Sequence, residues 1–279
     1  MTTESHVTVT ANSLWGAMGN SDGIEAAFWS AICGKTPEWG MHVEENRRGN
    51  QLIMVKANVN SMLEWNLLGK AIGDNLESGS VPVIEGEFKK PDFNKLRSFF
   101  TALAVFSNCE MFHIVNYTPE ARDVSDAFRT KVSLKKPITI DDLSLVESYE
   151  STSDLESSRV DFVSLGCPHY DINQIKEVAL KLKNKKIHVN VHFMIWTVYP
   201  IKYMSDENGY TKIIEEAGGH IYTSSCPGVI GSYFLNTYNG FVVDSIKQAS
   251  AIRGITNGHV YLGSIDQCLD AAVKGKWEK

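Results

Sequence analysis

Residues 160–182 read VDFVSLGCPHYDINQIKEVALKL, and the fold of the chain is decided there. The first six residues are almost wholly apolar and short, the pattern of a strand buried on both faces. The last twelve place Ile172, Ile175, Val178, Ala179 and Leu182 at helical spacing, which predicts an amphipathic helix. Gly166-Cys167-Pro168-His169 lies between them and reads as a turn, since proline cannot continue a central strand. The unit is therefore strand, turn, helix. The same rhythm continues downstream. Residues 187–196 (IHVNVHFMIW) predict a strand, 209–217 (GYTKIIEEA) a helix ended by Gly218 and Gly219, 220–223 a strand, 259–262 a strand, and 264–273 a closing helix. Strands and helices in turn describe an open parallel sheet.

Working upstream, residues 23–33 (GIEAAFWSAIC) predict a helix closed by Gly34. A strand over 51–59, a helix over 62–72 and a strand over 81–85 follow. A helix over 92–106 opens on a capping Asp92, and an apolar strand over 111–115 comes after it. Residues 118–128 (TPEARDVSDAF) predict a polar-surfaced helix. Residues 138–158 are acidic and Ser-rich, and read as part connector and part helix from near Asp141. The fold class is α/β with largely parallel sheets. Its predicted divisions are an N-terminal α/β unit over 1–137, a connector over 138–159 and a C-terminal α/β unit over 160–279.

The 279 residues are 43% hydrophobic, with 27 basic and 33 acidic side chains and a net charge of −6. That balance argues against a broad nucleic-acid surface. No apolar run approaches the length of a membrane span, roughly 18 residues, and MTTESHVTVTANS lacks the basic and apolar regions of a signal peptide. Five cysteines with no close pairing make no disulfide scaffold, so a reducing cytoplasm is expected. Cys33 and Cys109 are expected to be small buried residues, and Cys268 to pack inside the last helix.

Cys167 and Cys226 are different. Each follows a predicted strand and each precedes proline. Parallel sheets bind ligands at the carboxyl ends of their strands, so equivalent positions in two βα units would bring both thiols to one rim. Soft thiolates there could hold zinc or an iron–sulfur cluster, act as a reactive thiol, or simply stand in turns. His169 could ligate, donate a hydrogen bond or do acid–base work. A zinc-dependent lyase built on Cys167, His169 and Cys226, and a non-catalytic structural or binding subunit, are alternatives to a cluster enzyme.

Four segments resemble one family in order along the chain: TESHVTVTANSLWGAMGNSDGIEAAFWSAICGKTPEWGMHVEENRRG, FHIVNYTPEA, VDFVSLGCPHYDINQIKEVALKL and YLGSIDQCLDAAVKGKW. They resemble the large-subunit region of aconitase X proteins, whose fold is made of aconitase-like layered α/β units. The resemblance implies an iron–sulfur-dependent dehydratase acting on cis-3-hydroxy-L-proline or (R)-5-phosphomevalonate, with the cluster as Lewis acid on the leaving hydroxyl. It implies Cys167 and Cys226 as cluster ligands. The family's third ligand comes from an upstream Thr-Cys-x-Pro-Tyr-like motif that this sequence does not contain, and its serine base from a small swivelling subunit. The expectation is a naturally split subunit, with one partner chain supplying the third cysteine and a second, swivelling chain supplying the serine. A truncated or diverged relative is the alternative.

The resemblance also suggests catalytic roles for Ser5, His169 and Lys247, and substrate-binding roles for Glu4, Asn12, Ser13, Arg47, Thr197 and Ser245, toward a small acidic substrate. Glu4, Ser5, Asn12 and Ser13 match positions that line the family's cleft. Arg47 is either a bidentate partner of a carboxylate or phosphate, or a member of a salt bridge. His42 is a turn anchor or a substrate contact. His113 is a satisfied core histidine or a catalytic one. Thr197 offers a substrate hydrogen bond or a structural hydroxyl. Asp244-Ser245-Ile246-Lys247 stands where relatives often show Asn-Ser-x-Lys, and Lys247 could attract an acidic substrate.

Overall fold

Two parallel sheets, each in its own unit, organise the chain. The computed structural model describes residues 6–128, 134–156 and 158–278. The units are residues 1–145 and 146–279, and the division falls within a helix.

The first unit opens with α1 (His6–Trp15) and α2 (Gly23–Cys33), then two 3-10 turns, Gly40–His42 and Glu44–Arg47. It continues as β1 (Gln51–Val55), α3 (Met62–Asn75), β2 (Pro82–Gly86), α4 (Phe93–Ser107), β3 (His113–Ile114), α5 (Val124–Ala127), β4 (Ile138–Ile140) and α6 (Asp142–Glu150). The four strands run parallel in the order β3-β2-β1-β4, with Ile53 opposite both Ile84 and Ile138. Helix α3 begins with a capping box in which Ser61 and Glu64 satisfy each other's backbone donors, and Asp92 caps α4. These two helices pack unusually close. A Cβ at Gly69 would stand 2.5 Å from the Phe99 carbonyl oxygen and 2.8 Å from Ala102 Cβ. Around that contact Trp65, Phe99 and Phe112 meet edge to face, with centroids 5.8 and 5.3 Å apart, an arrangement that favours aromatic packing beyond area burial.

Helix α2 behaves differently. None of its residues is buried, and Ile24, Phe28, Trp29 and Ile32 stay exposed. Cys33, expected to be buried, is exposed because it belongs to this helix. Trp15 and Trp39 are exposed as well, whereas Trp65, Trp196 and Trp277 are enclosed.

The second unit runs β5 (Phe162–Tyr170), α7 (Ile172–Leu182), β6 (His192–Thr197), α8 (Tyr199–Glu207), α9 (Tyr210–Ala217), β7 (Gly219–Thr223), α10 (Pro227–Ile230), α11 (Ser232–Leu235), β8 (Gly240–Val243), α12 (Ile246–Ile255), β9 (His259–Leu262) and α13 (Ile265–Lys274). All five strands are parallel, in the order β7-β6-β5-β8-β9. Strand β5 is central and β6 and β8 flank it, which accounts for the near-continuous apolar run VDFVSL. One core carries Val163, Leu165, Ile175, Val178, Leu182, Phe193, Ile195, Val242, Leu269 and Trp277. Capping boxes open α7 at Asp171 and Gln174 and α13 at Ser264 and Gln267.

Several expectations shift. Strand β5 does not stop at Leu165. It continues through Gly166-Cys167-Pro168-His169 to Tyr170, with a register irregularity against β6 between Leu165 and Tyr170. Proline is tolerated there because the ladder is broken at that irregularity. The helix expected over 118–128 is reduced to the single turn Val124–Ala127. The sequence predicts none of α1, β4, α8, α10, α11, β8 and α12, and the stretch expected to begin as a connector at residue 138 instead opens with β4, an edge strand of the first sheet. Among the described residues no helix is long and apolar enough to cross a membrane.

Candidate functional site

The carboxyl end of the second sheet gathers the candidate chemistry. In a parallel sheet every strand delivers its last residues to the same edge. There β5 delivers Cys167 and His169, β6 delivers Thr197, β7 leads to Cys226, and β8 leads to Asp244, Ser245 and Lys247. The Ser164–Val243 register between β5 and β8 places 166–170 beside 244–245.

Asp244 fastens this edge. One of its carboxylate oxygens accepts the Gly166 N–H at 3.3 Å and the other accepts the Tyr170 hydroxyl at 2.5 Å. The two bonds bracket Cys167 on either side. Burial pushes the Asp244 carboxyl up to about 6, against the hydrogen bonds from Tyr170 and Gly166 that favour its anion. Thr197 is wholly buried and donates to the Tyr170 carbonyl at 2.7 Å, so its hydroxyl holds β5 in place. Gly166 has φ of 99° and faces the Trp196 carbonyl, where a Cβ would stand 2.4 Å from the oxygen. Only glycine fits that left-handed, close approach.

Cys167 and Cys226 converge. The His169 Nε2 meets the Ser225 carbonyl at 2.9 Å, which ties the residues before Cys226 to those after Cys167. Cys167 is half-buried by exposed area, yet its thiol is surrounded closely enough that burial pushes it up to about 12. Lys247 and Ser245 pull toward the thiolate, while Cys226 and Asp244 push against it. Cys226 is the first residue before α10 and Ser245 the first before α12. The Ser245 hydroxyl is buried and makes no aligned hydrogen bond to any described residue.

Two thiols, which are soft metal ligands when deprotonated, stand at one sheet edge with the Lys247 cation and the buried Ser245 hydroxyl beside Cys167. Among the described residues, no group of three or more His, Cys, Asp or Glu side chains could hold a metal ion. The zinc arrangement of Cys167, His169 and Cys226 therefore does not assemble.

The other expected site residues lie within the first unit or outside the description. Glu4 and Ser5 fall outside the described residues. Asn12 is buried, donating to the Gly19 carbonyl at 2.8 Å and the Glu110 carbonyl at 2.9 Å, and its own oxygen accepts the Gly19 N–H. Ser13 accepts the Phe112 N–H at 3.1 Å. Arg47, 2% exposed, is ion-paired to Glu120 and donates to the Ala17, Asn12 and Met41 carbonyls. All five of its N–H groups are engaged. Its own carbonyl meets His113 Nε2 at 2.7 Å, and burial lowers the pKa of that histidine. His42 Nδ1 meets the Pro37 carbonyl at 2.8 Å, as a turn anchor would. Tyr170 is the residue that sequence reasoning missed. It reaches the strand end only because β5 runs on past the predicted stop at Leu165.

Comparison with known proteins identifies the family. The aconitase X first-domain model matches residues 1–45, the second-domain model 49–150 and the third-domain model 160–274. This chain belongs to the aconitase X family. The crystal structure of Thermococcus kodakaraensis aconitase X in its holo-form has a similar fold, with a TM-score of 0.83 and 30% identity over 96% of this chain and 67% of that one. The phosphomevalonate dehydratase large subunit of Methanocaldococcus jannaschii is 31% identical over 95% of this chain. The cis-3-hydroxy-L-proline dehydratase of Hypocrea jecorina is 28% identical over 99% of it. The chain spans 65% and 47% of the length of these two curated aconitase X relatives.

Proposed function

We propose that this chain is a large-subunit portion of an iron–sulfur-dependent dehydratase that removes water from a small hydroxy acid. The observation that carries the proposal is the convergence of Cys167 and Cys226 at the carboxyl edge of the second sheet, beside Lys247 and Ser245. The relatives' names supply the reaction class and two candidate substrates, phosphomevalonate and cis-3-hydroxy-L-proline.

Cys167 and Cys226 would hold the cluster through two thiolates. A third thiolate and a serine general base would come from other polypeptide segments, as one or two partner subunits. When bound, the cluster supplies a Lewis acid that makes the departing hydroxyl a better leaving group. The chain's own residues do the rest of the local work. Lys247 places a positive charge beside the thiols, which favours an anionic substrate and offsets the charge of paired thiolates. Asp244, through Gly166 and Tyr170, holds the Cys167 segment in one conformation, and Thr197 fixes the Tyr170 backbone behind it. His169 is anchored to the Ser225 carbonyl, which keeps both cysteine segments together.

The test is anaerobic purification of the native assembly, with iron, zinc and acid-labile sulfide quantified and co-purifying chains identified. The expected result is iron and sulfide in stoichiometric amounts, and dehydration of one of the two substrates. Cys167→Ser and Cys226→Ser should each lose the iron and the activity while the chain stays folded. A wild-type assembly with neither iron nor sulfide, or serine variants with unchanged iron content, would refute the proposal.

A further inference from the structure

Ser245 sits in a sequence that ought to cap a helix and does not. Residues 245–248 read Ser-Ile-Lys-Gln, the capping-box pattern in which a hydroxyl accepts the third backbone N–H and the Gln side chain returns the bond. The chain makes such boxes at Ser61 and Glu64, at Asp171 and Gln174, and at Ser264 and Gln267. At the head of the ten-residue helix α12 the Ser245 side chain makes no capping bond. Ser245 is 1% exposed, its hydroxyl is buried without an aligned partner among the described residues, and both side-chain amide atoms of Gln248 are likewise buried and unpartnered. A buried hydroxyl left without a partner is destabilising, and here a local partner was within reach of the pattern.

The neighbouring geometry identifies what the hydroxyl faces. Asp244 holds Gly166 and Tyr170 on either side of Cys167, so the residue after Asp244 is placed beside the thiol. The Ser245 side chain lies within hydrogen-bonding reach of that thiol.

We infer that Ser245 is a positioning residue whose hydroxyl donates a hydrogen bond to the Cys167 sulfur when that sulfur is a metal-bound thiolate. The inference rests on the reading of Cys167 as a cluster ligand. It replaces the substrate-binding role expected for Ser245 with a role toward the ligand. A hydrogen bond to a ligand sulfur withdraws electron density and raises the reduction potential of the group it serves. The turned-away hydroxyl at α12 is thus a helix cap given up for a sulfur contact.

The experiment uses the native assembly, purified anaerobically, carrying wild-type, Ser245→Ala or Ser245→Thr chain. Iron and sulfide content, the electron paramagnetic resonance spectrum of the reduced protein, its midpoint potential, KM and kcat are measured for each. Ser245→Ala should lower the midpoint potential, shift the spectrum and speed iron loss to a chelator several-fold, with KM unchanged. Ser245→Thr, which keeps the hydroxyl, should restore all three. If Ser245→Ala fails to retain iron while Ser245→Thr retains it, the hydroxyl is again the cause. A wild-type spectrum and potential in Ser245→Ala would overturn the inference, whether or not KM rises. So would equal defects in both variants, which would assign the effect to volume. A wild-type assembly without iron and sulfide would instead remove the cluster reading beneath it, an outcome read before any variant is compared.

Discussion

Replacing Arg47 separates its two possible roles. In Arg47→Met the apolar stem is kept and the guanidinium lost. Glu120 then loses its cation, and the Asn12 and Ala17 carbonyls lose the donors now 3.0 and 2.8 Å away. Removing one member of a buried ion pair costs about 3–5 kcal/mol. Arg47 is 2% exposed but Glu120 is 28% exposed and can recover hydration, so the lower end, about 3 kcal/mol, is expected. For a unit of this size each kcal/mol moves the melting temperature by about 3 °C, giving a fall of about 9 °C. Glu120→Gln should cost a similar amount, since it leaves the cation enclosed without its anion. The double variant Arg47→Met/Glu120→Gln should then lose less than the two singles added together, by more than about 1 kcal/mol. The assay is thermal and urea unfolding of the full chain, followed by circular dichroism. A melting temperature for Arg47→Met within about 2 °C of wild type, with additive double-variant effects, would refute the structural role. The guanidinium would then be available to a substrate anion.

The helix contact at Gly69 predicts that Gly69→Ala destabilises the first unit by about 1–3 kcal/mol despite its better helix propensity, because the added methyl meets the Phe99 carbonyl at 2.5 Å; urea unfolding reads this, and a stabilised variant would contradict it. Ser264→Ala, which removes the α13 capping box, should cost about 1 kcal/mol in the same assay. Burial holds the His113 pKa below its ordinary 6.5. The unfolded chain therefore binds the proton more readily, and the stability of the first unit should be lost as pH falls from 6.5 toward the lowered value. His113→Gln should flatten that part of the pH profile, and an unchanged slope would show that the histidine does not carry it. Gly166→Ala should disturb the Cys167 segment through the Trp196 carbonyl, and lower the iron content of the purified assembly more than the helical change Gly254→Ala does.

The α/β class could be read because its strands are strongly apolar and its helices strongly periodic. Residues 160–182 are the best case, and there only the extent of β5 moved. What escaped was short or weakly patterned. Strand β8 is just four residues, GFVV, and α12 reads IKQASAIRGI, with serine and glycine diluting its apolar face. The end of β5 escaped because a proline reads as a stop, whereas a local irregularity let the strand run on to Tyr170. The site divides in the same way. Parallel topology carries strand ends to a common edge, so the sequence alone puts Cys167 and Cys226 on one rim. The pairings that decide what each residue does span 73 residues for Arg47 and Glu120 and 74 for Tyr170 and Asp244. Periodicity within an element carries no information about such pairs, which is why the sequence leaves Arg47 and Thr197 with two readings each.

The six tryptophans fall into two optical populations. Trp15, Trp29 and Trp39 are solvent-exposed and all lie within the first 39 residues, whereas Trp65, Trp196 and Trp277 are enclosed in the two cores. Iodide should therefore quench about half of the emission in the folded chain and leave a blue-shifted remainder. Any polypeptide that settles over the apolar side chains of α2 must also take Trp29 from water, and the emission will shorten in wavelength as it does. The chain thus carries, without labelling, a spectroscopic gauge of whether its bare helix is covered.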